Sequence, residues 1–94
     1  GNYVFKPNSK ILESNENRFI RLTEKENNIL KFLYKNLGNV IRRETLLHEV
    51  WGYNSKVTTH TLETHIYRLR QKIEDDPSNA CFLITEPGGY KLHS

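Results

Sequence analysis

The sequence has 94 residues, 36% hydrophobic and 27% charged, which favours one folded domain over residues 1–94 and argues against disorder. No apolar run approaches the roughly 20 residues that span a bilayer, and no signal-peptide layout is present, so we expect a cytoplasmic protein without membrane contact. The net charge of +3 is compatible with a nucleic-acid partner but does not establish one.

The N-terminal part predicts a small antiparallel sheet. Three short segments rich in aromatic and β-branched residues, at 3–5, 10–13 and 18–22, are separated by turn-forming residues at 7–8 and 15–17. This spacing indicates a meander of three strands.

The spacing of apolar residues changes at Thr23 from that of strands to that of a helix, which predicts the first helix. Thr23 and Glu26 have the capping-box spacing, in which the hydroxyl and the carboxylate each accept from the other residue's backbone amide. The apolar positions that follow at helical spacing are Ile29, Leu30, Leu33 and Leu37. Gly38 and Asn39 supply the end signal.

Two further helices are predicted. The second covers about residues 43–51, with Leu46, Leu47 and Val50 inward and Gly52 as its end. The third begins with Thr58 or Thr59 as N-cap and runs to about Glu74, ahead of Pro77. Its buried stripe is Leu62, Ile66, Leu69 and Ile73.

The chain ends in a predicted hairpin. Strands at 82–85 and 90–92 flank a turn at 86–89, which gives an α+β domain. We divide it into an N-terminal sheet (1–22), a three-helix core (23–76) and a terminal hairpin (80–94). We also expect Cys81 to be a small buried residue. The aromatic residues expected in the core are Phe19, Phe32, Trp51, Phe82 and Tyr90.

The third helix carries the strongest functional signal. The side opposite its apolar stripe bears His60, Thr64, Tyr67, Arg68 and Gln71. From this helix alone, a solvated face without function and a DNA-reading face have about equal weight. A second helix followed by an exposed, basic third helix is the arrangement of helix-turn-helix proteins, which favours DNA.

These segments resemble the OmpR/PhoB family of response regulators. The run 61–74 is similar to the family's recognition helix, Leu22-Thr23-x-x-Glu26 to its first helix entry and 43–52 to its second helix. Gly89-Tyr90-Lys91-Leu92 is similar to the end of its wing. The resemblance implies a winged helix-turn-helix with an N-terminal antiparallel sheet, three helices and a β-hairpin wing. The implied function is sequence-specific binding of double-stranded DNA by the effector domain of a two-component transcriptional regulator.

The resemblance also implies roles for individual residues. Arg68 and Thr64 fall where the family reads base edges, with helix 59–74 in the major groove. Residues expected at the DNA backbone are His60, Thr61, His65, Tyr67, Arg70, Lys72, Arg42, Arg43, Thr85 and Lys91. The loop of Tyr53, Asn54, Ser55 and Lys56 resembles the segment that touches RNA polymerase in family activators.

Three features depart from the family pattern. His60 stands where an arginine is usual, so this phosphate contact is expected to be weaker or pH-dependent. Glu86-Pro87 replaces an arginine in the wing, which disfavours minor-groove insertion because a carboxylate is repelled by phosphates. No receiver domain is present in the 94 residues, so we interpret the chain as an effector domain separated from the part on which a sensor kinase acts.

Other function classes fit less well. No nucleophile, base and orienting residue form a recognisable set, and no phosphate-binding or zinc motif occurs, so we expect no enzyme, metal or cofactor. By resemblance we expect tandem self-association on direct-repeat DNA. The alternative is a winged-helix module that binds protein instead of DNA, which the cations Arg68, Arg70 and Lys72 disfavour.

Overall fold

The computed structural model describes residues 3–14, 18–53 and 56–93, and confirms the α+β class. Its elements in chain order are β1 (Tyr3–Lys6), β2 (Ile11–Ser14), β3 (Phe19–Arg21), α1 (Glu24–Lys35), β4 (Ile41–Arg42), α2 (Arg43–Trp51), α3 (Thr59–Ile73), β5 (Leu83–Glu86) and β6 (Gly89–Leu92). A short 3-10 turn, Pro77–Asn79, links α3 to β5. The predicted turn at 15–17 lies outside the described residues.

The three N-terminal strands form the expected antiparallel meander, in the order β1-β2-β3. Phe5, Leu12 and Ile20 are cross-strand partners and turn toward the core. Phe19 was predicted to be a core residue, and that prediction is wrong, since its side chain is 63% exposed. The reason is strand alternation: Phe19 pairs with Glu13 on the opposite face of the sheet from Leu12.

Helix α1 begins with the predicted capping box. The Glu26 amide donates to the Thr23 hydroxyl at 3.2 Å, and the Thr23 amide donates to Glu26 Oε1 at 2.8 Å. The helix ends sooner than its apolar pattern suggests, because the C-cap Asn36 leaves helical geometry with φ −118°. Leu37 therefore lies beyond the helix and is 40% exposed, which corrects its assignment to the inward stripe.

Helices α2 and α3 supply much of the core. The bounds of α2 and the inward positions Leu46, Leu47 and Val50 are confirmed. The buried stripe of α3 is also as predicted, with Leu62, Ile66, Leu69 and Ile73 all buried. Tyr3 ties the N-terminal sheet to the end of α3, because its hydroxyl donates to the Ile73 carbonyl at 3.0 Å.

The C-terminal hairpin, β5 and β6, is joined by a strand that the sequence reading missed. Strand β4 pairs with β6, so that this sheet has the order β4-β6-β5. Gly89 is required at the crossing, since a Cβ there would lie 2.0 Å from the Ile41 carbonyl oxygen. The entry to α2 is thereby fixed to the hairpin, which we call the wing.

Cys81 was predicted to be buried, and the structure corrects this: its side chain is exposed. Its neighbour Phe82 turns inward instead and packs edge-on against Tyr3, with ring centroids 5.6 Å apart. Cys81 and Phe82 form a bend ahead of β5, so the packing of Phe82 against Tyr3 does not bring Cys81 inward. No helix within 3–14, 18–53 and 56–93 is long and apolar enough to cross a membrane.

Candidate nucleic-acid interface

The outward face of α3 is open along its length. Tyr67 is 63% exposed, and His60, Arg68 and Gln71 are also exposed. Within the described part of the chain, Arg68 has no hydrogen bond or ion pair. Its guanidinium therefore keeps all five N–H donors for a ligand, which suits bidentate pairing with guanine.

Thr64 faces the same side but its hydroxyl is partly used. It donates to the His60 carbonyl at 3.0 Å, one helical turn earlier. The methyl group and the oxygen lone pairs are left for a ligand. These groups fit a thymine methyl or a base-edge amine better than a phosphate, which has no hydrogen to donate.

His65 lies on a flank of α3 and is held in place by its neighbours. Its Nδ1 lies 2.8 Å from the Thr61 carbonyl oxygen, and its ring packs edge-on against Trp51 with centroids 5.0 Å apart. Because a carbonyl only accepts, Nδ1 carries the hydrogen in this bond. Donation from Nε2 to a phosphate therefore needs a ring protonated on both nitrogens.

Lys72, expected at the DNA backbone, is engaged inside the domain. Its ammonium lies 2.6 Å from Glu26 Oε1 and 3.1 Å from the Arg21 carbonyl oxygen. These bonds connect the end of α3 to the start of α1 and to β3. The charge of Lys72 is largely offset by the buried Glu26 carboxylate.

The environment of Glu26 favours its ionised form. Burial acts to raise the pKa of this carboxyl, but the hydrogen bond from Lys72, the Thr23 backbone amide and the charge of Lys72 together lower it. The net effect is a pKa below the ordinary value of 4.5. The carboxylate is thus ionised at neutral pH and serves as a fixed acceptor at this junction.

Arg70 points to the wing, not outward. Its Nε donates to the Leu83 carbonyl at 2.8 Å and its Nη2 to the Thr85 hydroxyl at 2.6 Å. The guanidinium carbon also lies 5.8 Å from the centre of the Tyr90 ring. Arg70 therefore connects α3 to both strands of the wing.

Glu74 completes the connection between α3 and β5. This buried carboxylate accepts from the backbone amides of Cys81, Phe82 and Leu83, at 2.8, 2.9 and 2.8 Å. Sequence reasoning gave Glu74 only as a helix end. The signal available was its place at the end of a helix, just before a loop whose amides need acceptors.

The start of α2 meets the same region. Arg42 is exposed, whereas Arg43 lies over the Tyr90 ring at 5.1 Å and 3.8 Å from a Glu63 carboxylate oxygen. Tyr90 is thus flanked by the guanidinium groups of Arg43 and Arg70. The start of α2, the middle of α3 and the wing meet around this ring.

The wing presents little free charge. Lys91 and Glu86 form an ion pair at 3.4 Å, so each offsets the other. Thr85 is exposed, and its oxygen accepts from Arg70. The hydroxyl of Thr85 is therefore the neutral polar group that this part of the wing offers to a ligand.

The loop after α2 is described only in part. Tyr53 is 73% exposed and its ring lies 4.9 Å from that of His48, while Lys56 is exposed. Asn54 and Ser55, two of the residues predicted to contact polymerase, lie outside the described residues. Among the described residues no group of three potential metal ligands occurs.

The chain is similar to known transcriptional regulators. The family model described as "Transcriptional regulatory protein, C terminal" matches residues 15–92. The probable transcriptional regulator ycf27 of Galdieria sulphuraria is 46% identical over 86 residues, 88% of this chain and 33% of that protein. The sensory transduction protein RegX3 of Mycobacterium leprae is 46% identical over 76 residues, 80% of this chain and 38% of that protein. The chain thus spans between 33% and 38% of these relatives.

Solved structures share the fold. The DNA-binding domain of Escherichia coli CadC superposes with a TM-score of 0.84 and 29% identity, over 98% of this chain and 86% of that one. The DNA-binding domain of E. coli CpxR gives 0.79 and 30%, over 99% and 91%. The Thermotoga maritima OmpR/PhoB homolog DrrB gives 0.77 and 31%, over 90% of this chain and 42% of that one. The expected winged-helix fold is confirmed.

Proposed function

The chain belongs to the family of C-terminal domains of transcriptional regulatory proteins, of OmpR/PhoB type, and on this basis we propose that it binds specific sequences in double-stranded DNA. It would do so as the effector domain of a two-component response regulator, with residues 1–94 forming one domain. This family is a class of transcriptional regulators and not of enzymes.

The observation that carries the proposal is the contrast between the two sides of α3. Its inward stripe is buried, whereas its outward side leaves Arg68 unpaired within the described ranges and Tyr67, His60 and Gln71 exposed. A helix held on one side and open to solvent on the other can enter the major groove, which is wide enough to admit it. Arg68 and Thr64 would there read base edges.

Backbone contacts would come from residues around this face. On α3 these are His60, Thr61, His65 and Tyr67, and at its edges Arg42, Arg43, Thr85 and Lys91. Such contacts fix the register of the helix on the duplex without carrying sequence information. Arg70 and Lys72 remain in the proposal as nearby cations, but their bonds inside the domain support a contribution through their charge and position.

Membership of this family is the basis for proposing contacts with further macromolecules. We propose that two copies bind direct-repeat half-sites in tandem, that the loop with Tyr53 and Lys56 approaches RNA polymerase, and that a sensor kinase acts through a receiver domain outside these 94 residues. The exposure of Tyr53 and Lys56 supports the second point.

Selection from a random double-stranded DNA library tests the function. The bound pool is sequenced and then titrated against the chain at several salt concentrations. Enrichment of a tandem half-site motif, with an association constant that falls as salt rises, is the expected result. Absence of both enrichment and salt-sensitive binding would overturn the proposal and favour a protein-binding winged-helix module.

A further inference from the structure

Arg70 of α3 and Glu74, which caps the end of that helix, hold both backbone polar groups of one residue in β5. The Leu83 carbonyl accepts from Arg70 Nε at 2.8 Å, and the Leu83 amide donates to Glu74 Oε2 at 2.8 Å. Leu83 itself is fully buried. The start of β5 is therefore fixed to the end of α3 by these two side chains, so the position of the wing depends on that of the helix.

The second donor of Arg70 reaches two residues further along β5. Nη2 donates to the Thr85 hydroxyl oxygen at 2.6 Å, and the charge of the guanidinium strengthens this bond. The Tyr90 ring, 5.8 Å from the guanidinium carbon, limits the movement of the group. Arg70 is thus held by the wing at several points.

This bond determines what the Thr85 hydroxyl can do. A hydroxyl has one hydrogen to donate, and its oxygen here already accepts from a cation. The hydrogen is repelled by the guanidinium and turns away from it, toward solvent, because the Thr85 side chain is exposed. Among the described residues, Thr85 has no acceptor for that hydrogen. The group is a donor oriented outward and polarised by the bond that it accepts from the guanidinium.

We propose, on the basis of the proposed DNA binding, that Thr85 donates to a DNA phosphate and that Arg70 is the positioning residue that orients and polarises its hydroxyl. The wing then contacts the DNA backbone through a neutral group, while its two charged residues, Glu86 and Lys91, are paired with each other. Arg70 acts on the DNA through Thr85, in place of the direct phosphate contact expected from the sequence.

Four variants of the chain test this inference on one probe, the duplex enriched by the unmodified chain in the library selection. Thr85→Val removes the hydroxyl at nearly constant shape, and Thr85→Ser keeps it. Arg70→Lys keeps the charge but cannot reproduce the two-pronged donor geometry. The fourth variant combines Thr85→Val with Arg70→Lys.

We expect Thr85→Val to weaken binding about fivefold, as loss of one hydrogen bond does, and Thr85→Ser to restore it. The salt dependence should not change in Thr85→Val, since a hydroxyl displaces no counterion. Arg70→Lys should weaken binding by a similar factor. The double variant should weaken binding no more than the more damaging single variant does, whereas two independent contacts would give a loss of roughly 25-fold.

Three results would each overturn the inference: unchanged binding by Thr85→Val, unchanged binding by Arg70→Lys, or losses that multiply in the double variant. Thermal unfolding checks each variant. If Arg70→Lys does not fold, the Thr85→Val and Thr85→Ser pair still tests the hydroxyl contact on which the inference depends, because valine is well accommodated in an exposed strand position. Failure of the proposed function is a separate outcome, in which the unmodified chain itself does not bind the duplex.

Discussion

The two arginines of α3, Arg68 and Arg70, are near neighbours in sequence but have very different surroundings. They are two residues apart, about 200° around the helix, so they point to nearly opposite sides. Arg68 is exposed with no partner in the described ranges, whereas Arg70 is bonded to Leu83 and Thr85. Positive charge on a recognition helix therefore has two uses. One, for Arg68, is the proposed contact with DNA, and the other, for Arg70, is holding the helix against the wing.

The same contrast extends along α3. Away from the open side, Glu74 at the end of α3 bonds to the loop before β5, and Lys72, on the other flank of the helix from Arg70, bonds to the start of α1. On the open side, Tyr67 and Gln71 are exposed. Substitution of these bonded side chains should therefore change stability, and substitution on the open side should change DNA binding alone.

The largest effect is expected for Glu74→Ala. Its loss leaves three backbone amides at residues 81–83 without their acceptor, which should lower the free energy of unfolding by about 3 kcal/mol. Urea denaturation measures this. Glu74→Gln, which keeps one acceptor oxygen, is the matched control and should lose less. A Glu74→Ala variant as stable as the unmodified chain would remove the distinction between the two sides.

Arg68→Ala should have the next largest effect, on binding and not on folding. It should weaken binding to the selected duplex by about 2 kcal/mol, because a base-reading arginine is lost, and leave random duplex nearly unaffected. Urea denaturation should show stability within about 0.5 kcal/mol of the unmodified chain. Equal losses on both duplexes would contradict base reading and assign Arg68 to the phosphates.

Lowering the pH should have the smallest effect on stability, and it should act through the carboxylate of Glu26. Its pKa is lowered in the folded chain, so its contribution to stability is present above the unfolded pKa, near 4.5, and is lost as pH falls through the lower folded value. Stability measured from pH 6 down to pH 3 should therefore decline less steeply in Glu26→Gln than in the unmodified chain.

Lys72→Met provides the matching control on the other side of this ion pair. Without the ammonium, burial acts on Glu26 with less opposition, so the folded pKa should rise toward the unfolded value and less stability should be lost as the pH falls. Its binding to DNA should keep the salt dependence of the unmodified chain. A drop of about one unit in that dependence would show that Lys72 meets a phosphate after all.

Local signals predicted most of the helical structure. The capping box of Thr23 and Glu26, the ends of α2 and the stripe of α3 depend on residues within one or two turns of each other. Strand β4 was missed because two residues show no periodicity, and its formation depends on pairing with β6, far along the chain. Leu37 was misplaced because hydrophobic spacing continues past the point where the backbone leaves the helix.

The hydrogen-bond partners of the candidate site residues within the domain could not be predicted from the sequence. The family pattern places Arg68, Arg70 and Lys72 on one helix as similar cations. Only the folded wing supplies Leu83 and Thr85 to Arg70, and only the start of α1 supplies Glu26 to Lys72. These partners are at least 13 residues away in sequence, so no local rule connects them.

The central claim, that the open side of α3 meets DNA, is tested most directly by titrating the isotope-labelled chain with the selected duplex and following its backbone amide signals. We predict the largest changes at the outward positions of α3, above all His60, Thr64 and Arg68, with further changes at Arg42 and Thr85. The strands β1 to β3 should change little. Largest changes on those strands, with α3 unaffected, would contradict the account.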